Sequence, residues 1–267
     1  MKTLNRLILA IMFVVTTGIP AYANLAPLDP DVRDKQLAQA EELYAKQDVD
    51  GLLELLKESH LFIKQDVALR LGRLGADKAL PILRDYDQRY SRFACAESGQ
   101  FGVAVILIEN KTPNAQKKAL LAVAAEAREK GKHPHSVVDA AGRELSRYEG
   151  DDIIKTLADI RTYGAQYTVL KLQCKKLSES DAISKSIAVL EAHETPQKAQ
   201  AAEQILIAFG RSAKSPVEKL KARVEKRIKS MDPTFTIPKT IRNRCNRIIK
   251  QIEKDEKANK SDAPDKK

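Results

Sequence analysis

The residues of this chain that could do chemistry are few and scattered. Its three cysteines, Cys95, Cys174 and Cys245, could pair, ligate a metal or attack as thiolates. Cys174 and Cys245 instead fall inside apolar stripes, and Cys95 lies beside Phe93 and Ala94. Those are the positions of small core residues. His133-Pro134-His135 is the only close histidine pair. A useful metal site needs three or four ligands, and no Cys, Asp or Glu cluster completes this one in the sequence nearby. Glu41-Glu42 and Asp151-Asp152 are paired only in sequence. Adjacent helical residues point in different directions, so neither pair can share a proton by itself. His60 and His193 are isolated. A phosphate loop, a Gly-x-Ser-x-Gly elbow, His-Glu-x-x-His and Cys-x-x-Cys-His are all missing from the sequence. These observations predict no catalytic residues, no cofactor, no metal and hence no enzyme.

The strongest chemical signal is charge. Residues 211–267 hold 18 basic and 8 acidic side chains. Lys219, Arg223, Lys226 and Lys229 fall on the polar side of one segment there, and Arg244, Arg247 and Lys250 on that of the next. They form a candidate surface for an anionic partner: an acidic protein, a lipid or polysaccharide of a cell envelope, or nucleic acid. Nucleic acid is the weakest of these, because aromatics for base stacking make up only 5% of the chain.

The elements that would position these residues begin after a leader. Lys2 and Arg6 precede the apolar run Leu7–Thr16, and Ala21-Tyr22-Ala23 is a small-x-small cleavage site. Residues 1–23 therefore read as a cleaved signal peptide. The expectation is export to a periplasm or the medium, with no transmembrane segment after cleavage. The rest has no tryptophan, little glycine and long Ala/Leu/Lys/Glu-rich stretches, a composition that favours an all-α fold.

Apolar residues at helical spacing place helices along the whole chain. The first covers 30–46, with Asp29 as cap and Pro30 at its first position. A short one follows around Leu52–Leu56, and His60–Ile63 read as a link. Helices then fall at 64–74, 78–90, 92–110, 113–130, 136–148, 151–163, 165–177, 181–194, 197–209, 216–229 and 239–254. Gly75 suits a positive φ, and Asp77 a cap. Thr112-Pro113 and Thr195-Pro196 are cap-plus-proline starts, and Ser215–Glu218 reads as a capping box. Residues 255–267 have no apolar side chain larger than alanine and read as a disordered charged tail.

Leu74, Ile108, Tyr148, Leu177 and Phe209 close successive first helices at intervals of 34, 40, 29 and 32 residues. Helical hairpins with such a period stack. The hairpin at 64–90 carries Ala-Leu-x-Leu-Gly-x-Leu-Gly at 68–75 and Ala-Leu-Pro-x-Leu at 79–83. It resembles a HEAT repeat, and the rest of the chain does so by pattern. The resemblance implies a right-handed α-solenoid over 24–254, about five hairpins with capping helices at its ends. The competing arrangement is a closed helical bundle. In a stack, cysteines two repeats apart stand too far apart for a disulfide, so three unpaired thiols are expected. By resemblance, the role is a non-catalytic scaffold whose second helices, 78–90, 113–130, 151–163, 181–194 and 216–229, face a protein or peptide. The alternative is an envelope-surface binder of anionic lipid or polysaccharide acting through the basic C-terminal helices.

Overall fold

A computed structural model describes residues 28–90, 99–130, 135–230 and 236–261. The leader, Cys95, His133, Pro134 and residues 262–267 lie outside the described residues. Among those described, every regular element is a helix and no strand occurs, so the chain is all-α. Its contacts divide it into two compact units, Met1–Lys111 and Thr112–Lys267. No described helix is long and apolar enough to cross a membrane.

The N-terminal unit contains α1 (Pro30–Ala45), α2 (Val49–Glu58), α3 (Leu61–Arg73), α4 (Leu80–Tyr90) and α5 (Gly99–Glu109). The Asp29 carboxylate accepts from the Asp31 N–H at 2.8 Å, as the sequence predicts. Asp48 caps α2 through the Gly51 N–H at 2.9 Å. The supposed link at 60–63 is instead the first turn of α3. His60 caps it, its Nδ1 accepting from the Phe62 N–H at 3.4 Å, and Leu61 and Ile63 are buried. Gly75 turns the chain at φ 65°, a conformation that costs a residue with a Cβ. Asp77 does not cap α4. Its carboxylate takes the Lys111 ammonium, and a single 3-10 turn leads into the helix. α1, α3 and α5 pack in succession, α2 rests on α1 and α3, and α4 rests on α5. Val67, Leu71, Leu83, Phe101 and Ile108, all apolar-stripe positions, are fully buried between them. Each such burial contributes about 1.5–3 kcal/mol.

The C-terminal unit contains α6 (Pro113–Lys130), α7 (His135–Glu144), α8 (Asp151–Leu157), α9 (Tyr163–Lys175), α10 (Glu179–Ala192), α11 (Pro196–Ala208), α12 (Arg211–Ser230) and α13 (Ile237–Ser261). α7, α9, α11 and α13 pack in succession. α6 rests on α7, α8 on α9, α10 on both α9 and α11, and α12 on α13. Thr112 and Thr195 cap α6 and α11 as predicted, accepting from Ala115 and Lys198 N–H at 3.3 and 3.2 Å.

Four boundaries here differ from the sequence expectation by a turn or more. α7 stops at Glu144 and a 3-10 turn over Leu145–Arg147 follows, so Tyr148 does not close the helix. α8 has 7 residues and stops at Leu157. The Gln166 amide donates to the Ala158 and Ile160 carbonyls at 3.2 and 2.7 Å, and Thr162 then caps α9. α12 starts directly after Gly210, so Ser215–Glu218 is no capping box and Pro216 sits inside the helix. That proline removes one backbone hydrogen bond from the second turn. α13 runs on to Ser261, into the stretch expected to be disordered. Ile252 is its last buried apolar residue. Beyond it a Glu253–Lys214 ion pair of 2.8 Å ties the helix to α12, and a Gln251-to-Asp255 hydrogen bond of 2.8 Å follows.

α7 and α9 touch backbone to backbone. A Cβ on Gly164 would stand 2.0 Å from the Asp139 carbonyl oxygen. The Asp139 carboxylate accepts from the Gly164 N–H at 2.6 Å and from Arg143 Nη2 at 2.6 Å. The Thr168 hydroxyl donates to the Gly142 carbonyl at 2.6 Å.

Candidate binding surfaces

The basic residues singled out from sequence lie on α12 and α13 but do not act alike. Arg244 Nη1 donates to Glu203 Oε2 at 2.6 Å, and Arg247 Nε to Glu203 Oε1 at 2.8 Å. Glu203, on α11, is 6% exposed. The carboxylate raises the Arg247 pKa further, favouring its charged form. Arg223 donates to Glu191 on α10 at 2.9 Å. These three arginines are tied to carboxylates supplied from outside 211–267, so the local charge surplus overstates the available positive surface. Lys219, Lys226, Lys229 and Lys250 are exposed and have no ion-pair partner among the described residues. They remain open to an anionic partner.

The sequence did not single out the solvent side of α9. Tyr163, Tyr167, Lys171 and Lys175 recur every four residues and so share one face. The Tyr163 and Tyr167 ring centroids are 5.9 Å apart. Arg143 lies over the first ring at 5.6 Å and Lys171 over the second at 5.7 Å. Such cation–ring contacts contribute about 0.5–1 kcal/mol each at exposed sites. Burial pushes the Tyr163 hydroxyl up to about 12 and raises that of Tyr167. Tyr167, Leu170, Cys174 and Leu177 recur at helical spacing, a stripe that by itself predicts a core position for each. Only Leu170 and Cys174 are buried, and Leu177 is 42% exposed beyond the end of α9.

Beside this face a groove of 470 Å³ opens between α9, the start of α10 and the end of α11. Its floor is Cys174, Ala182 and Ile205, and its walls are Tyr167, Leu177 and Phe209. Lys171, Lys175 and Glu179 stand at its mouth. Two alanines, Ala182 and Ala208, leave the space that longer side chains would fill. A smaller cleft of 240 Å³ lies where α8 ends early and exposes α9 to α10. Glu194 and Lys198, 2.5 Å apart, lie at its edge.

Charged side chains bridge neighbouring helices within each unit, Arg84 to Glu109 at 2.6 Å in the N-terminal one and Lys117 to Asp152 at 2.8 Å in the C-terminal one. Asp151 takes Lys176, so Asp151-Asp152 are two separate ion-pair members. Glu41 and Glu42 likewise bind different cations, Arg70 at 2.5 Å and Lys46 at 2.6 Å.

Cys174 and Cys245 are buried free thiols. Burial raises both, Cys245 to about 11, so neither is a ready nucleophile at neutral pH. Among the described residues no group of three His, Cys, Asp or Glu side chains could hold a metal ion. His193 ends α10 in a left-handed conformation, its buried Nε2 without a hydrogen-bond partner among the described residues. Set against known proteins, the chain matches no family model, no curated protein and no solved structure.

Proposed function

We propose that each unit is a stack of HEAT-like hairpins, the packing of an α-solenoid, and that the chain is a non-catalytic scaffold binding a protein or peptide partner. The observation that carries this reading is the solvent face of α9. Two half-buried tyrosines, a lysine stacked on one of them and an adjoining apolar groove offer the aromatic anchors and concavity on which interfaces depend. The pattern of first helix on first helix within each unit, with α2 and α10 each lying across such a pair, supports the hairpin stack. In this reading the binding face belongs to the first helices of the C-terminal unit rather than to the second helices. The proposed setting is the one the leader implies, an envelope or the medium.

A displayed random-peptide library, selected on the immobilised full chain, tests the scaffold reading. Reproducible enrichment of a peptide family that competes with itself in solution is the expected result. Selection that returns no family above background overturns it.

A further inference from the structure

We propose that the groove between α9 and α11 takes an acidic linear peptide segment, inserting one bulky apolar side chain with carboxylates on either side. This rests on the scaffold reading and names the partner's chemistry.

The volume, 470 Å³, lies in the range of sites that enclose ligand groups, about 300–1,000 Å³. The floor and walls are apolar, and Leu177 at the edge is 42% exposed. An entering leucine or phenylalanine side chain would remove that surface from water, at roughly 25 cal/mol per Å². Charge selects the flanks. Lys171 stands at the mouth with only the Tyr167 ring as partner among the described residues. Lys175 stands beside it, held by Glu149. Glu179 is the single carboxylate in the lining. The lining holds two ammonium groups, Lys171 and Lys175, against the one carboxylate of Glu179, a balance that favours an acidic segment and sets a basic one against Lys171. The half-buried tyrosines beside the mouth extend the contact along α9.

The test uses the full chain and three fluorescein-labelled peptides read by anisotropy. One has leucine and phenylalanine between glutamates, one has them between lysines, and one has glutamates around alanines. The first should bind at least ten-fold more tightly than either of the others. Lys171→Glu should cost it about ten-fold. Ala208→Trp, at an exposed position at the groove's edge, should fill the space and abolish binding while circular dichroism stays unchanged. Equal binding of the lysine peptide, or binding that survives Ala208→Trp, overturns the groove assignment. If library-selected peptides bind Ala208→Trp as well as the parent, the scaffold reading stands and the groove falls alone. If no peptide is selected at all, both fall.

Discussion

Lys64 in the N-terminal unit and Glu203 in the C-terminal unit are both buried charges, 7% and 6% exposed, and they are accommodated in opposite ways. The Lys64 ammonium donates to the Lys57 carbonyl at 2.6 Å and to the Tyr86 hydroxyl at 3.2 Å, with no carboxylate in contact among the described residues. It closes the C-terminal end of α2, where carbonyls lack partners. Burial holds its pKa below the ordinary 10.5. Glu203 instead accepts from two guanidiniums and links α11 to α13. A charge met by neutral dipoles can be replaced by an apolar chain of similar shape at little cost. A charge met by counter-charges cannot lose one member without stranding the rest.

That contrast sets the largest expected effect. Glu203→Ala leaves Arg244, 12% exposed, without its counter-ion. The loss should be about 3–5 kcal/mol by urea denaturation. Glu203→Leu with Arg244→Met should recover most of it. Should the single change cost under about 1 kcal/mol, the cluster is not the strut described here.

Gly164→Ala comes next. Its Cβ would meet backbone rather than a mobile side chain, so a loss of about 3 kcal/mol is expected from forced separation of α7 and α9. The same substitution at Gly75 costs through conformation alone, since nothing stands near its Cβ.

Lys64→Met should change stability by no more than about 1 kcal/mol at neutral pH. Its pH dependence sharpens the comparison. The unfolded lysine holds its proton up to 10.5 and the folded one releases it earlier. Stability therefore rises with pH through the window just below 10.5, and wild type should gain on Lys64→Met there. Cys245 has the opposite sign. Its folded thiol stays protonated to about 11 against an ordinary 9.0, so its contribution is present below 9.0 and is lost as pH rises towards about 11. Wild type should lose ground to Cys245→Ala across that interval, in thermal melts at stepped pH. The smallest effect belongs to Lys219, Lys226 and Lys229, whose replacement by alanine should each shift stability by under ~0.5 kcal/mol. Those changes should nonetheless weaken any salt-sensitive binding to anionic vesicles.

The helical content was legible because apolar spacing repeats locally. Ile241, Cys245, Ile248 and Ile252 form a stripe that became core throughout, and of Val217, Leu220, Val224 and Ile228 only the last is partly exposed. Caps were legible where a Thr-Pro or Asp-Pro pair announced them. Helix ends set by distant partners were not. α8 stops where Gln166, on the next helix, takes the Ala158 and Ile160 carbonyls just past its end. The α9 face was hidden because tyrosine satisfies both an apolar pattern and a surface role, and spacing alone does not say which side of a helix its neighbours cover.

The sequence by itself determined that the chain is all-α, where its apolar stripes run and where its charge accumulates, since each follows from residues a turn or two apart. Only the tertiary structure decided that Arg244 and Arg247 serve Glu203, that Lys64 has neutral partners and that alanines leave a groove beside α9. Those outcomes depend on residues up to 44 positions apart being brought within hydrogen-bond distance, and electrostatic and packing energies are set by that distance rather than by position along the chain.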